Sequence, residues 1–210
     1  MNVADKHRLH PSPVRLEDEA ETAKLCQQAF YRDPMFRFLC QRKETRFDRQ
    51  LLNLFTHMQR IHRANGGSSM AIRKGRYNGE INAIAQFKLP NSGFNSLQLL
   101  AQLAAIALHC GPGCLQRFIR IGQAMPANWP RTPHVYLSVL AVSPDFQGRG
   151  HGAYLLDRIW EISKHNASSQ GVCLDTQNRD NLAYYKRQGF VVIGECQVDE
   201  LHSWCLYRRH

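Results

Sequence analysis

Residues 134–152 read HVYLSVLAVSPDFQGRGHG and run directly into AYLLDRIWEIS at 153–163. From Val135 to Val142 the side chains are β-branched, aromatic or otherwise apolar, with Ser138 the one polar member. A strand that is apolar toward both faces belongs inside a covered sheet. Ser143-Pro144-Asp145 breaks the run, and Gln147-Gly148-Arg149-Gly150-His151-Gly152 sets glycines at alternate positions. Leu155, Leu156, Ile159, Trp160 and Ser163 then recur at helical spacing, with Asp157, Arg158, Glu161 and Lys164 on the other side. The stretch therefore predicts a buried strand, a glycine-rich turn and a helix.

The start of that helix is unusual in what it lacks. Acids normally favour a first turn, yet no Asp or Glu lies between Gln147 and Leu156. Free amides, glycines that admit a ligand to the backbone, and Arg149 together form a receptor for an anion, best a phosphate. The alternative is a tight strand-to-helix turn with no ligand. No G-x-x-x-x-G-K-[ST] run occurs anywhere. The loop is G-x-G-x-G, not G-x-G-x-x-G, and no acid follows at the ribose-binding distance, so both nucleotide-loop readings are weak.

Composition sets the outer limits. A chain of 210 residues suits one domain with a full core, and 43% hydrophobic against 21% charged residues describes a globular protein. The longest apolar run, LQLLAQLAAIALHC at 97–110, is short of a membrane span and carries Gln98 and Gln102, so it reads as a packed helix. The N-terminal MNVADKHRLHPSP has no apolar signal core, which makes the cytoplasm the expected location. Seven scattered cysteines without a C-x-x-C pair suit buried free thiols. Cys110, Cys114 and His109 lack a fourth ligand, and no metal is expected. The net charge of +10 suits a polyphosphate ligand. Nucleic acid is the sharper alternative, but the cations are dispersed rather than clustered with aromatics.

Along the chain, residues 1–13 read as a loose arm and Val14-Arg15-Leu16 as a short first strand. A helix from Glu17 to Phe30 follows, Asp33-Pro34 breaks and restarts the chain, and helices come near Met35–Cys40 and Thr45–Arg63, the last ended by Asn65-Gly66-Gly67. Strands are expected at Met70–Arg73 and Ile81–Leu89, around a turn at Arg76-Tyr77-Asn78-Gly79. Helices at 97–109 and about 114–124 precede the central strand, where they could build a substrate pocket. After it come a strand at Gly171–Asp175, a short helix capped by Asp180 or Asn181 and running through Arg187, and a hairpin of Phe190–Val198 with Leu201–Arg208. Residues 134–175 thus form a strand–helix–strand unit, a right-handed parallel crossover.

Two motifs carry a resemblance. Gln147–Gly152 resembles the Q/R-x-x-G-x-G/A signature of the GNAT superfamily, the acyl-CoA-dependent N-acetyltransferases. Asn178 to Phe190, NRDNLAYYKRQGF, resembles that family's N-x-x-A-x-x-x-Y-x-x-x-G-F in loose form, with Tyr185 four positions before Gly189. VRLEDEAETAKLCQQAFYRDPMFRFL, IAQFKLP and HVYLSVLAV also resemble the puromycin-acetyltransferase-like branch, which acylates small amines. The resemblance implies one α/β domain over 1–210 with its coenzyme motifs at 134–195. Its central twisted mixed sheet would have about six or seven strands flanked by helices. In such proteins the central strand and the strand at 172–175 splay apart.

Carried over residue by residue, the resemblance makes acetyl-CoA the co-substrate. Gln147, Gly148, Arg149, Gly150, His151 and Gly152 would hold its pyrophosphate, Leu140, Ala141 and Val142 its pantetheine, and Asn181 a further contact. Tyr185 would be the proton donor to the departing thiolate, a role a phenol of pKa about 10 can fill. No carboxylate lies in 134–142, which leaves His134 and Asp175 as candidates for a base, each with a structural alternative. The expected activity is direct acetyl transfer to a small-molecule primary amine. The alternatives are a protein or aminoacyl-tRNA amine, and a non-catalytic CoA sensor. No membrane partner is expected, and a homodimer is open.

Overall fold

The computed structural model describes residues 9–40, 44–75 and 79–210. Seven strands form one sheet: β1 (Pro11–Pro13), β2 (Ser68–Arg73), β3 (Ile81–Lys88), β4 (Val135–Val142), β5 (Gly171–Thr176), β6 (Val191–Val198) and β7 (Leu201–Arg209). Their order is β1-β2-β3-β4-β5-β7-β6, and every neighbouring pair is antiparallel except β4 with β5. The helices are α1 (Glu19–Ala29), α2 (Pro34–Leu39), α3 (Glu44–Ala64), α4 (Ser96–Cys110), α5 (Pro112–Ala124), α6 (His151–His165) and α7 (Asp180–Arg187). The expected mixed sheet with one parallel crossover at its centre is therefore present.

The first strand differs from expectation. It lies on Pro11–Pro13, inside the stretch read as a loose arm, and Leu16 instead opens a short 3-10 turn to Asp18. Proline is tolerated there because β1 is an edge strand with only β2 beside it. The buried Asp18 carboxylate takes Arg73 Nη2 at 2.5 Å and so ties that turn to the end of β2. Of the turn expected at Arg76–Gly79, residues 76–78 lie outside the described residues. The α7 start also differs: neither Asp180 nor Asn181 is the N-cap, and Asn178 Oδ1 accepts from the Asp180 amide at 3.0 Å.

Two apolar layers sandwich the sheet. On one face Phe36, Leu39, Phe47, Leu51, Leu54 and Phe55 from α2 and α3 pack with Ile84, Val139 and Ala141. On the other, Leu155, Leu156 and Ile159 of α6 pack with Ile72, Ala85, Val135, Leu137 and Leu174. The neighbouring positions Leu137 and Val139 thus serve opposite faces, which a regular strand forbids. The register explains it. Gln86 pairs with Val139 but Phe87 with Leu137, so Ser138 is the extra residue of a β-bulge. Its hydroxyl donates to Gln86 O at 3.0 Å.

The bulge also ends the parallel pairing. β4 and β5 pair only over Val135–Leu137 and Val172–Leu174, while β5 continues along β7 to Thr176. Beyond Ser138 the two central strands diverge and leave a wedge. β4 is accordingly less covered than its composition predicts, with Tyr136, Leu140 and Val142 only half-buried.

Candidate active site

The wedge opens onto two cavities that share a wall. The first, about 540 Å³, is lined by Leu140 and Val142 of β4, by Phe146 to Gly148 and Gly150 to Ala153 at the start of α6, and by Asn178, Asn181 and Tyr184. The second, about 240 Å³, lies deeper, among Met35, Phe36, Met58, Phe118, Ile121 and Met125, with Tyr136 to Leu140 and Leu174 to Gln177. Phe30, Asp33, Leu140, Asn181 and Tyr185 line both and mark the junction.

The outer cavity is built for an anion. Gly150 caps α6 with φ 81° and ψ 2°, a left-handed conformation that costs other residues about 1–2 kcal/mol. It turns the chain into the first turn of α6, whose residues His151, Gly152 and Ala153 line the cavity and whose amides have no acceptor inside the helix. No acid occupies that turn. An added Cβ on Gly152 would meet Tyr184 Oη at 2.9 Å, so only glycine lets that hydroxyl approach. Gln147 Nε2 donates back to Val142 O at 3.2 Å and fixes the loop. His151 is buried against Phe146, its Nδ1 3.3 Å from Phe146 O. Arg149 projects outward over the Phe146 ring at 5.0 Å and does not line the cavity. Ala141 turns its side chain into the opposite core.

The inner cavity is apolar with acidic groups at its edge. Asp33 is the N-cap of α2 and accepts from the Met35 amide at 3.0 Å. Burial raises its carboxyl to about 6, against the partial opposition of hydrogen bonds from the Met35 and Phe36 amides. Tyr185 is buried, edge-on to Tyr184 and Phe190. Desolvation, with the Tyr184 and Asp33 charges, pushes its phenol above the ordinary value, so it stays protonated. Tyr184 is raised to about 12, chiefly by burial. Asn181 Nδ2 donates to Thr176 Oγ1 at 3.3 Å.

The two base candidates, His134 and Asp175, both make structural contacts of the kind their alternative reading expects. His134 lies before the paired end of β4, lines neither cavity, and bonds through Nδ1 to Thr132 O at 2.8 Å. Asp175 does line the inner cavity, and burial lifts it to about 6. Its Oδ2, however, already accepts from Trp129 Nε1 at 2.7 Å and from the Tyr136 hydroxyl at 3.1 Å. That carboxylate pins the loop after α5 to the sheet. Asp33, which the sequence reading treated only as a helix break, is the carboxyl that reaches the junction. Its Asp-Pro helix start was visible; its position opposite β4 depends on tertiary packing.

Among the described residues no group of three His, Cys, Asp or Glu could hold a metal ion. No described helix is long and apolar enough to cross a membrane. No disulfide joins any of the seven cysteines, and Cys196 alone among them is less than fully buried.

Known proteins share this fold. Residues 106–192 match the family model described as acetyltransferase (GNAT) domain. A solved structure described as histone acetyltransferase HPA2 and related acetyltransferase, from Corynebacterium glutamicum, superposes with a TM-score of 0.70 at 20% identity, over 96% of each chain. Arylalkylamine N-acetyltransferase 2 from Aedes aegypti gives 0.62 at 12% identity, over 96% of this chain and 98% of that one. Arabidopsis thaliana NAA60 in complex with acetyl-CoA gives 0.54 at 15% identity, over the same shares. Those likenesses establish the fold, and residues 106–192 are similar to the acetyltransferase (GNAT) domain.

Proposed function

We propose that the protein transfers an acetyl group from acetyl-CoA directly to the primary amine of a small, largely apolar molecule. The observation that carries this reading is the meeting of two unlike cavities at Tyr185 and Asp33. The outer one presents bare amides, and the inner one presents aromatic and methionine side chains.

The outer residues fit the co-substrate. The acid-free first turn of α6 suits a diphosphate, and the unpaired edge of β4 beyond Ser138 can hydrogen-bond an extended pantetheine arm at Leu140–Val142. Bound there, acetyl-CoA would supply the activated thioester. An amide of the β4 edge would polarise the thioester carbonyl. Asp33, raised to about 6, is ionised near neutral pH and would draw the proton from the incoming ammonium. An ammonium near pKa 10 stands about 4 units above it, so the transfer costs roughly 5 kcal/mol, less once the apolar cavity weakens the ammonium. Tyr185 would return a proton to the departing sulfur.

The cavity supports a small acceptor. At about 240 Å³ it lies near the lower bound of ligand pockets, and Trp129, held by Asp175, anchors the loop beside it. The Aedes neighbour is named for arylalkylamines, which such a lining would accept. The test follows thiol release from acetyl-CoA with the purified protein across a panel of aliphatic, aromatic and polyamine acceptors. Release with apolar amines, in intersecting initial-rate patterns, is expected. No release with any amine would reject the reading, and parallel patterns would reject direct transfer.

A further inference from the structure

Helix α4 is packed on one side only. Ile106 and Cys110 are buried, and Gln102 Oε1 lies 2.9 Å from His57 Nδ1 of α3. The opposite side is apolar and open: Leu97, Leu100 and Leu108 are 79%, 63% and 80% exposed, and Phe94, just before the helix, is 67% exposed. Ala101 and Ala104 complete the stripe. The sequence reading of 97–109 as a packed helix therefore holds for half of it. Contiguous apolar patches beyond about 300–600 Å² are uncommon on a monomer, and this face, four large side chains and two alanines, is of that order.

Its pattern says what would cover it. Positions 97, 101, 104 and 108 read Leu-Ala-Ala-Leu, the same from either end, with the midpoint between Gln102 and Leu103. A two-fold axis through that midpoint would lay α4 antiparallel on α4 of a second copy. Leu97 would then meet Leu108 of the other chain and Ala101 would meet Ala104, with the small residues at the crossing letting the helices approach to about 8 Å. Charge agrees. From Leu89 to Gln116 there is no Asp, Glu, Lys or Arg, in a chain of net charge +10. The cations beside this face, Arg60 and Arg63, are both held by Glu19. Two copies can therefore meet here without opposing like charges. An anionic bilayer would be drawn by cations on the helix, and α4 has none.

We propose that the exposed face of α4 is the contact of a symmetric homodimer. Sedimentation velocity over micromolar concentrations is expected to show a dimer for the unaltered chain and a monomer for the Leu97→Asp, Leu108→Asp double variant. Because both positions face solvent in the protomer, the variant should keep its circular dichroism. A mixture of Leu97→Cys and Leu108→Cys chains should form a mixed disulfide, with the unaltered chain as the control for native thiols. A monomer at every concentration, a dimer that survives the double substitution, or a 97-to-97 disulfide would overturn the proposal. So would binding of the unaltered chain to phosphatidylserine vesicles that the double substitution abolishes, which would make the face a lipid contact.

Discussion

Leu137 faces Leu174 at the last register pair between the two parallel strands, and the next residue, Ser138, is the bulge. The gap beyond is where the coenzyme would lie, so occupancy should show as stability. CoA at a hundred times its Kd would add about 2.7 kcal/mol, or roughly 5–10 °C in Tm. Differential scanning fluorimetry checks this. Arg149→Glu should weaken CoA about tenfold in a salt-dependent way, since the side chain lies outside the cavity and acts through its field.

Asp33→Asn should lower kcat/KM for the amine by about a hundredfold while leaving CoA affinity near its original value. The native rate should rise with pH through a midpoint near 6, the value burial gives this carboxyl. In the variant that limb should vanish. A pH–rate profile of the two proteins decides it, and an unchanged limb would remove Asp33 from the mechanism.

The same burial has a stability sign. Asp33 and Asp175 each rise from the ordinary 3.8 to about 6 in the folded chain. Between those values the unfolded carboxyl is ionised while the native one keeps its proton, so the native state binds more protons and stability falls as pH rises. Each group would cost on the order of 2–3 kcal/mol above pH 6. Asp33→Asn should therefore gain stability at pH 7 and nothing near pH 3.5, as read by urea midpoints at both pH values.

Tyr185→Phe should reduce kcat by about a hundredfold or more with little change in KM for acetyl-CoA. The ring keeps its contacts with Tyr184 and Phe190, so the fold should not suffer. Single-turnover thiol release separates this loss from slow product departure.

Gly150→Ala should cost about 1–2 kcal/mol, because φ 81° is left-handed, and lower Tm by roughly 2–8 °C. It should also weaken CoA, since the same turn aims the α6 amides.

Legibility followed sequence distance. The unit from Val135 to Thr176 was readable because its strand, turn and helix are local patterns, and the hairpin of β6 and β7 likewise. The insertion of β7 between β5 and β6 was not, since no short-range pattern records strand order. Ser138 stood out as the one polar residue in an apolar run, yet only the register with β3 reveals a bulge. Asp33 was hidden for a related reason: α2 carries it to β4 across more than a hundred residues. The open side of α4 was hidden because a helix with apolar residues on every side reads as buried whichever side is covered.

The parallel junction gives the sheet a seam. Strands β1 to β4 and strands β5 to β7 are two ribbons stitched together by only three residue pairs. A raw strand edge ordinarily invites stray chains, but this one lies at the centre of the sheet, between β4 and β5, and not on its outer rim. An extended guest held there would serve as a temporary eighth strand, so the sheet would be complete only while the reagent is bound.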